Sequence, residues 1–465
     1  MSDENRLIER AKIKVNQVSP SFCLAKWLQS TIHLQTGMTH SCHHPAPHKI
    51  PLNEIKRNPS ALHNTMFKKM KRKEMQKGIR PKECDYCWKV EDANPDSFSD
   101  RHMKSHEHWA LPHLDKVKRL HFREDVNPTY LEISFSNACN MQCSYCGPQF
   151  SSKWMEEIEN KGAYPTSTRF NNLENLKRTN TMPIPHREEN PYVEAFWEWW
   201  PELYRSLDTF RITGGEPLLS KDTFKVLDYI IDNPNPNKNL NLSINSNLMV
   251  PDSMYEKFIE KLNIITDNNL VKHFVLFTSV DTHGEQANYI RNGMDYDIWL
   301  KRVHNLFKVN KKIHMNFMTT FNALSLPRFD LLLKDIYDIK QEYKHANRFY
   351  IGSCVLDIAY LRWPPHQQVK ILPQEWSKKI LEYADLMDGI YGEEQNPAYT
   401  AFYDFEVEKM KRLYDWMIEP VEESWLIQNR KDFYSYFTEH DKRRGTDFCK
   451  TFPELEEFYN QCGKL

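Results

Sequence analysis

What this chain lacks narrows its class before any motif is read. It has almost no net charge: 62 Lys and Arg stand against 63 Asp and Glu, leaving -1 at pH 7. A protein that grips polyanions in general carries a clear basic excess, so no general nucleic-acid binding is expected. Long apolar runs are missing too. Residues 274–277 form one of the longest, far short of the roughly 20 that a bilayer-spanning helix needs. The start, MSDENRLIERAK, has none of the apolar stretch of a secretory signal. A soluble, cytoplasmic protein with no membrane partner is expected. Glycine is scarce, 13 against 26 prolines, and no repeat of solenoid length is present. What is present is a hydrophobic fraction of 40%, with 13% aromatics, across 465 residues. That excludes a wholly disordered chain and can bury a core without disulfides.

Ten cysteines remain to be explained. In a reducing compartment they are metal ligands, reactive thiols or core residues more often than disulfides. Seven fall into two compact patterns, Cys139/Cys143/Cys146 and Cys23/Cys42/Cys84/Cys87.

The texture of the chain divides it into 1–125, 126–365 and 366–465. The first segment is rich in His, Lys and Cys with little sustained periodicity, and is expected to be a loop-rich module that needs a metal to stay folded. In the second, apolar runs at 130–135, 209–213, 240–244, 274–280, 313–320 and 349–356 alternate with amphipathic stretches. At 325–337, Phe329, Leu332, Leu333 and Ile336 share one helical face, with Pro327 suited to the first turn. At 297–307, Trp299, Val303 and Leu306 do the same. This alternation predicts an α/β fold with a parallel sheet, open or curled into a barrel. The first two runs are separated by a long insertion, and 150–205 is a candidate lid. Its FWEWW run at 196–200 is expected to pack in a core or an interface. The last segment reads as mainly helical.

Just past the first run, FSNACNMQCSYCGP sets Cys139, Cys143 and Cys146 as C-x3-C-x2-C. Three thiolates on one short loop can converge on an iron–sulfur cluster, and three rather than four leaves one iron open to an outside ligand. Zinc competes, but an obvious fourth ligand is missing nearby. The end of a strand is where α/β proteins keep their chemistry.

This loop, with Tyr145 before its last cysteine, resembles the signature of the radical S-adenosylmethionine superfamily. Further matches follow at successive strand ends. Gly214-Gly215-Glu216-Pro217 is similar to the motif that meets the methionine amino group. Ser246-Asn247 matches a Thr-Asn position, although Leu248 stands where the family often has Gly. Ser279, Asp281 and Arg291 match a Ser-x-Asp and a following Arg that contact ribose and carboxylate. The resemblance covers about 128–365 and implies a partial (β/α)6 barrel, a [4Fe–4S] cluster and S-adenosylmethionine. It further implies Tyr145 beside the adenine, radical hydrogen abstraction from a substrate, and a flavodoxin- or ferredoxin-like electron donor.

In the N-terminal segment, Cys23 and Cys42 flank Gly37, and Cys84 and Cys87 follow as C-x2-C. This is similar to the twitch or SPASM modules that hold auxiliary iron–sulfur clusters, although those usually follow the barrel. Four cysteines suit a fully ligated [4Fe–4S] cube, which favours electron transfer or support over substrate ligation. A structural zinc site is the alternative, with His43 and His44 beside Cys42 and His40 and His48 nearby. Cys354 could face a cavity as a hydrogen-donating thiol or simply pack as a small hydrophobe; Cys449 and Cys462 read as structural. Members with auxiliary clusters often modify peptides or protein side chains, which favours such a substrate over a small molecule. An iron–sulfur electron carrier and a zinc-stabilised binding module stay open. No catalytic residue is assigned.

Overall fold

The structure, a computed structural model, describes residues 3–234, 237–344, 352–390 and 402–465. Its strands in chain order are β1 (Gln29–His33), β2 (Met38–His40), β3 (His48–Lys49), β4 (Tyr130–Ser134), β5 (Gln142–Cys143), β6 (Thr209–Thr213), β7 (Asn241–Ser246), β8 (His273–Ser279), β9 (Arg291–Asn292), β10 (His314–Phe321) and β11 (Cys354–Tyr360). The described residues form an α/β protein in two compact units, one of Met1–Asn137, Pro183–Ser243 and Asp267–His273, the other of Ala138–Met182, Ile244–Thr266 and Phe274–Leu465.

In the first unit the strand order is β6-β4-β1-β2-β3. β4 pairs in parallel with both β6 and β1, and β2 then turns antiparallel onto β1 and β3 onto β2. Strand alternation splits the sheet into two unlike faces. Ile32, Leu131, Ile133, Phe210 and Ile212 are wholly buried on one side. The helix Pro191–Ser206 covers that side, with Phe196 5.1 Å from Phe135 and Trp200 5.0 Å from Phe210 between ring centroids. Asn190 caps this helix and Pro191 opens it, where a missing N–H costs nothing. The aromatic run is therefore core, as expected, and the second half of the insertion is a sheet-covering helix rather than a lid.

The N-terminal segment is more regular than its sequence suggests. It holds the helices Asp3–Val18, Met66–Gln76, Asp85–Ala93 and Asp100–His106, and an apolar core of its own around Phe22, Leu24, Trp27, Trp88 and Trp109. Short helices that each bury only a narrow stripe leave a weak periodic signal. β1, with the sequence QSTIH, escaped notice because it is polar, yet four of its five residues are buried.

In the second unit β10 pairs in parallel with β8 and β11, while β5 pairs antiparallel with β9. The helix expected at 325–337 is Phe329–Glu342. Its apolar stripe of Phe329, Leu332, Leu333 and Ile336 is fully buried, but Pro327 precedes the cap at Arg328 instead of occupying the first turn. The other helix is Tyr296–Val309. The run expected at 349–356 falls partly on 349–351, outside the described residues, and β11 begins at Cys354. The C-terminal extension is helical, chiefly Ser377–Asp385, Asp404–Ile418, Glu423–Arg444 and Glu456–Cys462. Among the described residues no helix is long and apolar enough to cross a membrane.

Candidate functional site

The second unit holds the three-cysteine loop. Cys139, Cys143 and Cys146 are half-buried thiols on one turn, and the Cys146 N–H donates to the Cys143 carbonyl at 2.9 Å. The loop is tied down from several directions. Wholly buried Trp154 donates its Nε1–H to the Cys143 carbonyl at 3.0 Å, and Ser151 and Ser152 hold the Met141 and Cys139 carbonyls at 2.7 and 3.2 Å. The Ser144 carbonyl accepts from the Tyr436 hydroxyl at 2.6 Å and from Gln367 Nε2 at 3.0 Å. No local signal marks Tyr436, which stands 292 residues away from Ser144.

β5 lays Cys143 opposite Arg291 in β9. Gly293, just beyond, has φ +101, and a side chain there would press to 2.9 Å from the Asn140 carbonyl. Arg291 faces two partners: its Nη1 stands 3.7 Å from Cys143 Sγ, and Nε and Nη2 lie 2.8 and 3.0 Å from the Asp281 carboxylate. Asp281 has no exposed surface and also accepts from the Tyr145 hydroxyl at 2.7 Å and the Thr320 N–H at 2.9 Å. Burial opposes the charge on Arg291, but Asp281 more than offsets it and holds the guanidinium charged. Burial pushes the Cys146 thiol up to about 12, with the Cys143 sulfur adding to the rise. The fork expected to face a cofactor carboxylate is thus already engaged by a carboxylate of the chain.

Asn247, at the end of β7, donates to Asn140 Oδ1 at 3.0 Å, and Asn140 donates on to the Met249 carbonyl at 2.8 Å. Asn140 was not singled out from sequence. Leu248 has φ +58, the left-handed region where glycine costs nothing, which accounts for the family's glycine there. The Leu248 side chain is wholly buried, and Arg302 donates to its carbonyl. Ser279 ends β8 opposite Met318. Asp281, Arg291, Tyr145 and Cys143 are brought together, and Asn247 joins the three-cysteine loop through Asn140.

The Gly214-Gly215-Glu216-Pro217 segment lies in the first unit, directly after β6. Gly214 has φ +129, and a Cβ there would fall 2.8 Å from Ser134 Oγ and 3.0 Å from the Ser136 carbonyl. Glu216 is buried and caps the turn Pro217–Leu219, accepting from the Leu218 N–H at 3.0 Å. The backbone here can approach a ligand only because both glycines lack side chains.

The Radical SAM superfamily model matches residues 133–336. The chain is a radical SAM superfamily enzyme. Membership implies a [4Fe–4S] cluster and S-adenosylmethionine, and three thiols on a braced loop are the right donor set for such a cluster. No curated protein matches the chain. Among solved structures it is similar to the crystal structure of Streptococcus suis SuiB bound to precursor peptide SuiA, at 14% identity over 79% of this chain and 70% of that one, with a TM-score of 0.33.

The second cysteine set of this enzyme also comes together. Cys23, Cys42, Cys84 and Cys87 line one pocket of about 410 Å³ of empty space, mouth included, along with Lys26, His44, Arg101 and Lys104. Gly37, at φ +61 between β1 and β2, packs against the Tyr192 ring. Burial, and then Cys42 and Cys84, push the Cys23 thiol up to about 12; burial raises the other three as well. The surroundings are cationic. Lys26 pairs with Glu83, and Arg101 pairs with Glu91 at 2.9 Å. Lys68 and Arg72 are almost wholly buried, and neither has an ion-pair partner among the described residues. Lys68 Nζ bonds only neutral groups, including the His40 carbonyl at 3.2 Å, and is close enough to feel a charge on Cys42. Burial, and then Arg72 and Lys26, hold the Lys68 ammonium well below its usual range, so a negative charge nearby would be favoured there. His44 Nε2 donates to the Asp100 carboxylate at 2.7 Å, and its ring stacks on Tyr86. Cys354 is buried beside Ser353 with its thiol pushed up to about 11 by burial; Cys462 is buried and Cys449 half-buried.

Proposed function

We propose that Cys139, Cys143 and Cys146 hold the [4Fe–4S] cluster of this radical SAM enzyme and leave one iron for S-adenosylmethionine. The observation that carries this is the loop itself: three thiols on eight residues, with Cys143 registered against Arg291 and its carbonyl fixed by Trp154. Bound together, cluster and S-adenosylmethionine supply a 5′-deoxyadenosyl radical that takes hydrogen from a substrate. The chain's own residues then have separable tasks. Asp281 keeps Arg291 charged beside the Cys143 sulfur and locks the Tyr145 hydroxyl, so the adenine-side ring is preset. Glu216, with Gly214, Gly215 and Pro217, offers a carboxylate to an ammonium group, while Asn247 and Ser279 offer hydrogen bonds to ribose. The barrel of 126–365 carries this machinery, and 366–465 braces the cluster loop through Gln367 and Tyr436.

Cys23, Cys42, Cys84 and Cys87 of the 1–125 module hold an auxiliary [4Fe–4S] cluster in this proposal. Support comes from the cationic surroundings and from spacing. The four cysteines line one pocket together with Lys26, Arg101 and Lys104. The twitch-like spacing in turn favours a peptide or protein side chain as substrate and a flavodoxin- or ferredoxin-like protein as reductant. Anaerobic reconstitution tests the whole. About eight iron per chain are expected, and Cys143→Ala is expected to lose 5′-deoxyadenosine formation and about half the iron. High zinc with little iron would instead mark a binding module, and iron without cleavage an electron carrier.

A further inference from the structure

Ser41 follows β2 directly and stands just before Cys42, outside the 133–336 span that matches the superfamily. It is 3% exposed, and its hydroxyl has no hydrogen-bond partner among the described residues. It also lines the pocket of Cys23, Cys42, Cys84 and Cys87. Among the described residues lining that pocket, none but Ser41 leaves a buried polar side-chain atom unpartnered. Trp88 donates its Nε1–H to the Pro81 carbonyl at 2.8 Å, Asp100 accepts from His44, and Arg101 pairs with Glu91 and donates to the Phe22 carbonyl at 2.9 Å. Hydroxyls on the neighbouring strands are also engaged: Thr39 donates to the Thr31 carbonyl at 3.1 Å, and Ser30 accepts from Lys68 at 2.9 Å. Native proteins rarely bury a hydroxyl that bonds nothing, so the pocket itself is where the partner of Ser41 belongs.

The chemistry around the four thiols says what that partner is. Three of the sulfurs have a hydrogen-bond donor. The His44 backbone N–H serves Cys42, the Arg101 backbone N–H serves Cys87, and the Lys26 ammonium serves Cys84. Donors gathered on sulfur favour a thiolate over a thiol. Cys23 has no such donor among the described residues; Lys26 and Arg101 act on it through their charge alone. A serine hydroxyl can donate as well as accept, and its hydrogen rotates to suit. An anionic sulfur is the acceptor that this pocket offers it.

We propose that the Ser41 hydroxyl donates to a sulfur of the auxiliary cluster and raises its reduction potential. This role rests on the [4Fe–4S] cluster assigned above to Cys23, Cys42, Cys84 and Cys87. One added electron makes the cluster and its sulfurs more negative, so a hydrogen bond to sulfur stabilises the reduced form more than the oxidised one. Burial strengthens the effect, because water does not compete for the hydroxyl. Ser41 makes and breaks no covalent bond; it sets the potential at which the centre takes up its electron.

The full chain carrying Cys143→Ala isolates the effect, since the auxiliary cluster is then the one left to titrate. Anaerobic reconstitution should give about four iron per chain, and a dithionite titration followed by electron paramagnetic resonance gives the midpoint. Ser41→Ala should keep the iron but lower the ratio of reduced to oxidised cluster at a fixed potential about fivefold, a midpoint about 40 mV more negative. Ser41→Thr, which keeps the hydroxyl, should hold the parent midpoint. Ser41→Val has the shape of Ser41→Thr without the hydroxyl and should match Ser41→Ala, which separates the hydrogen bond from packing. Full iron with the same midpoint in Ser41→Ala, or equal midpoints in the Thr and Val variants, overturns the role of Ser41 and leaves the cluster standing. Zinc in place of iron in the Cys143→Ala chain overturns the cluster, and the role of Ser41 with it.

Discussion

Replacing Asp281 by Asn tests the electrostatic core beside the three-cysteine loop most directly. The change keeps the side-chain volume but removes the charge and turns one acceptor oxygen into a donor. Asp281 has no exposed surface; it pairs with Arg291, whose Nε stands 2.8 Å away, and accepts hydrogen bonds from Arg291 Nη2 at 3.0 Å, from Tyr145 at 2.7 Å and from the Thr320 N–H at 2.9 Å. Breaking a buried pair by removing one partner costs about 3–5 kcal/mol, because the other charge stays buried and unpaired. Arg291 is 6% exposed, so water cannot rescue it. A loss of about 4 kcal/mol is expected in urea unfolding of the cluster-free chain, followed by tryptophan fluorescence. Replacing both partners together, Asp281→Leu with Arg291→Met, is expected to cost far less than the two single changes summed, since no charge is then stranded. A single Asn variant that loses under about 1 kcal/mol, or a double variant whose cost equals that sum, refutes this account of the pair.

Three further outcomes follow from the same structure. The Cys23 and Cys146 thiols are raised from 9.0 to about 12, so the fold favours their neutral form. Stability of the metal-free chain is therefore full below pH 9 and is lost as pH rises toward 12; melting curves across that range should show the decline, and cluster loading should abolish it. At the acid end His40 and His366 are pushed down to about 3 by burial, so stability falls as pH drops from 6.5 toward 3, and His366→Asn should flatten part of that slope. Tyr436→Phe removes the 2.6 Å hydrogen bond to the Ser144 carbonyl; a loss of about 1 kcal/mol and faster iron release under chelation are expected, and unchanged release would show that the C-terminal brace does not hold the loop.

The cysteine spacings and the strand-end motifs were legible because each is a local pattern whose chemistry demands those residue types. C-x3-C-x2-C sets three thiols on one short loop in any fold that lets it turn, and Gly214 has the positive φ that glycine allows. The apolar runs that became β4, β6, β8 and β10 were legible for the same reason, since strands buried on an apolar face read as hydrophobic. Residues 29–33 gave no such signal: a polar strand enters the sheet only because β4 offers it a free edge. Leu248 looked like a defect in a motif and proves to hold the glycine's own conformation.

Sequence alone determined which atoms could bind iron, because ligand identity and spacing are written in the chain. Tertiary structure decided what those atoms face. It paired Arg291 with Asp281, set Tyr436 against a loop 292 residues away, and gathered Cys23 and Cys42 with Cys84 and Cys87 among buried cations. Charge pairing and desolvation act through space, so no window along the chain contains them.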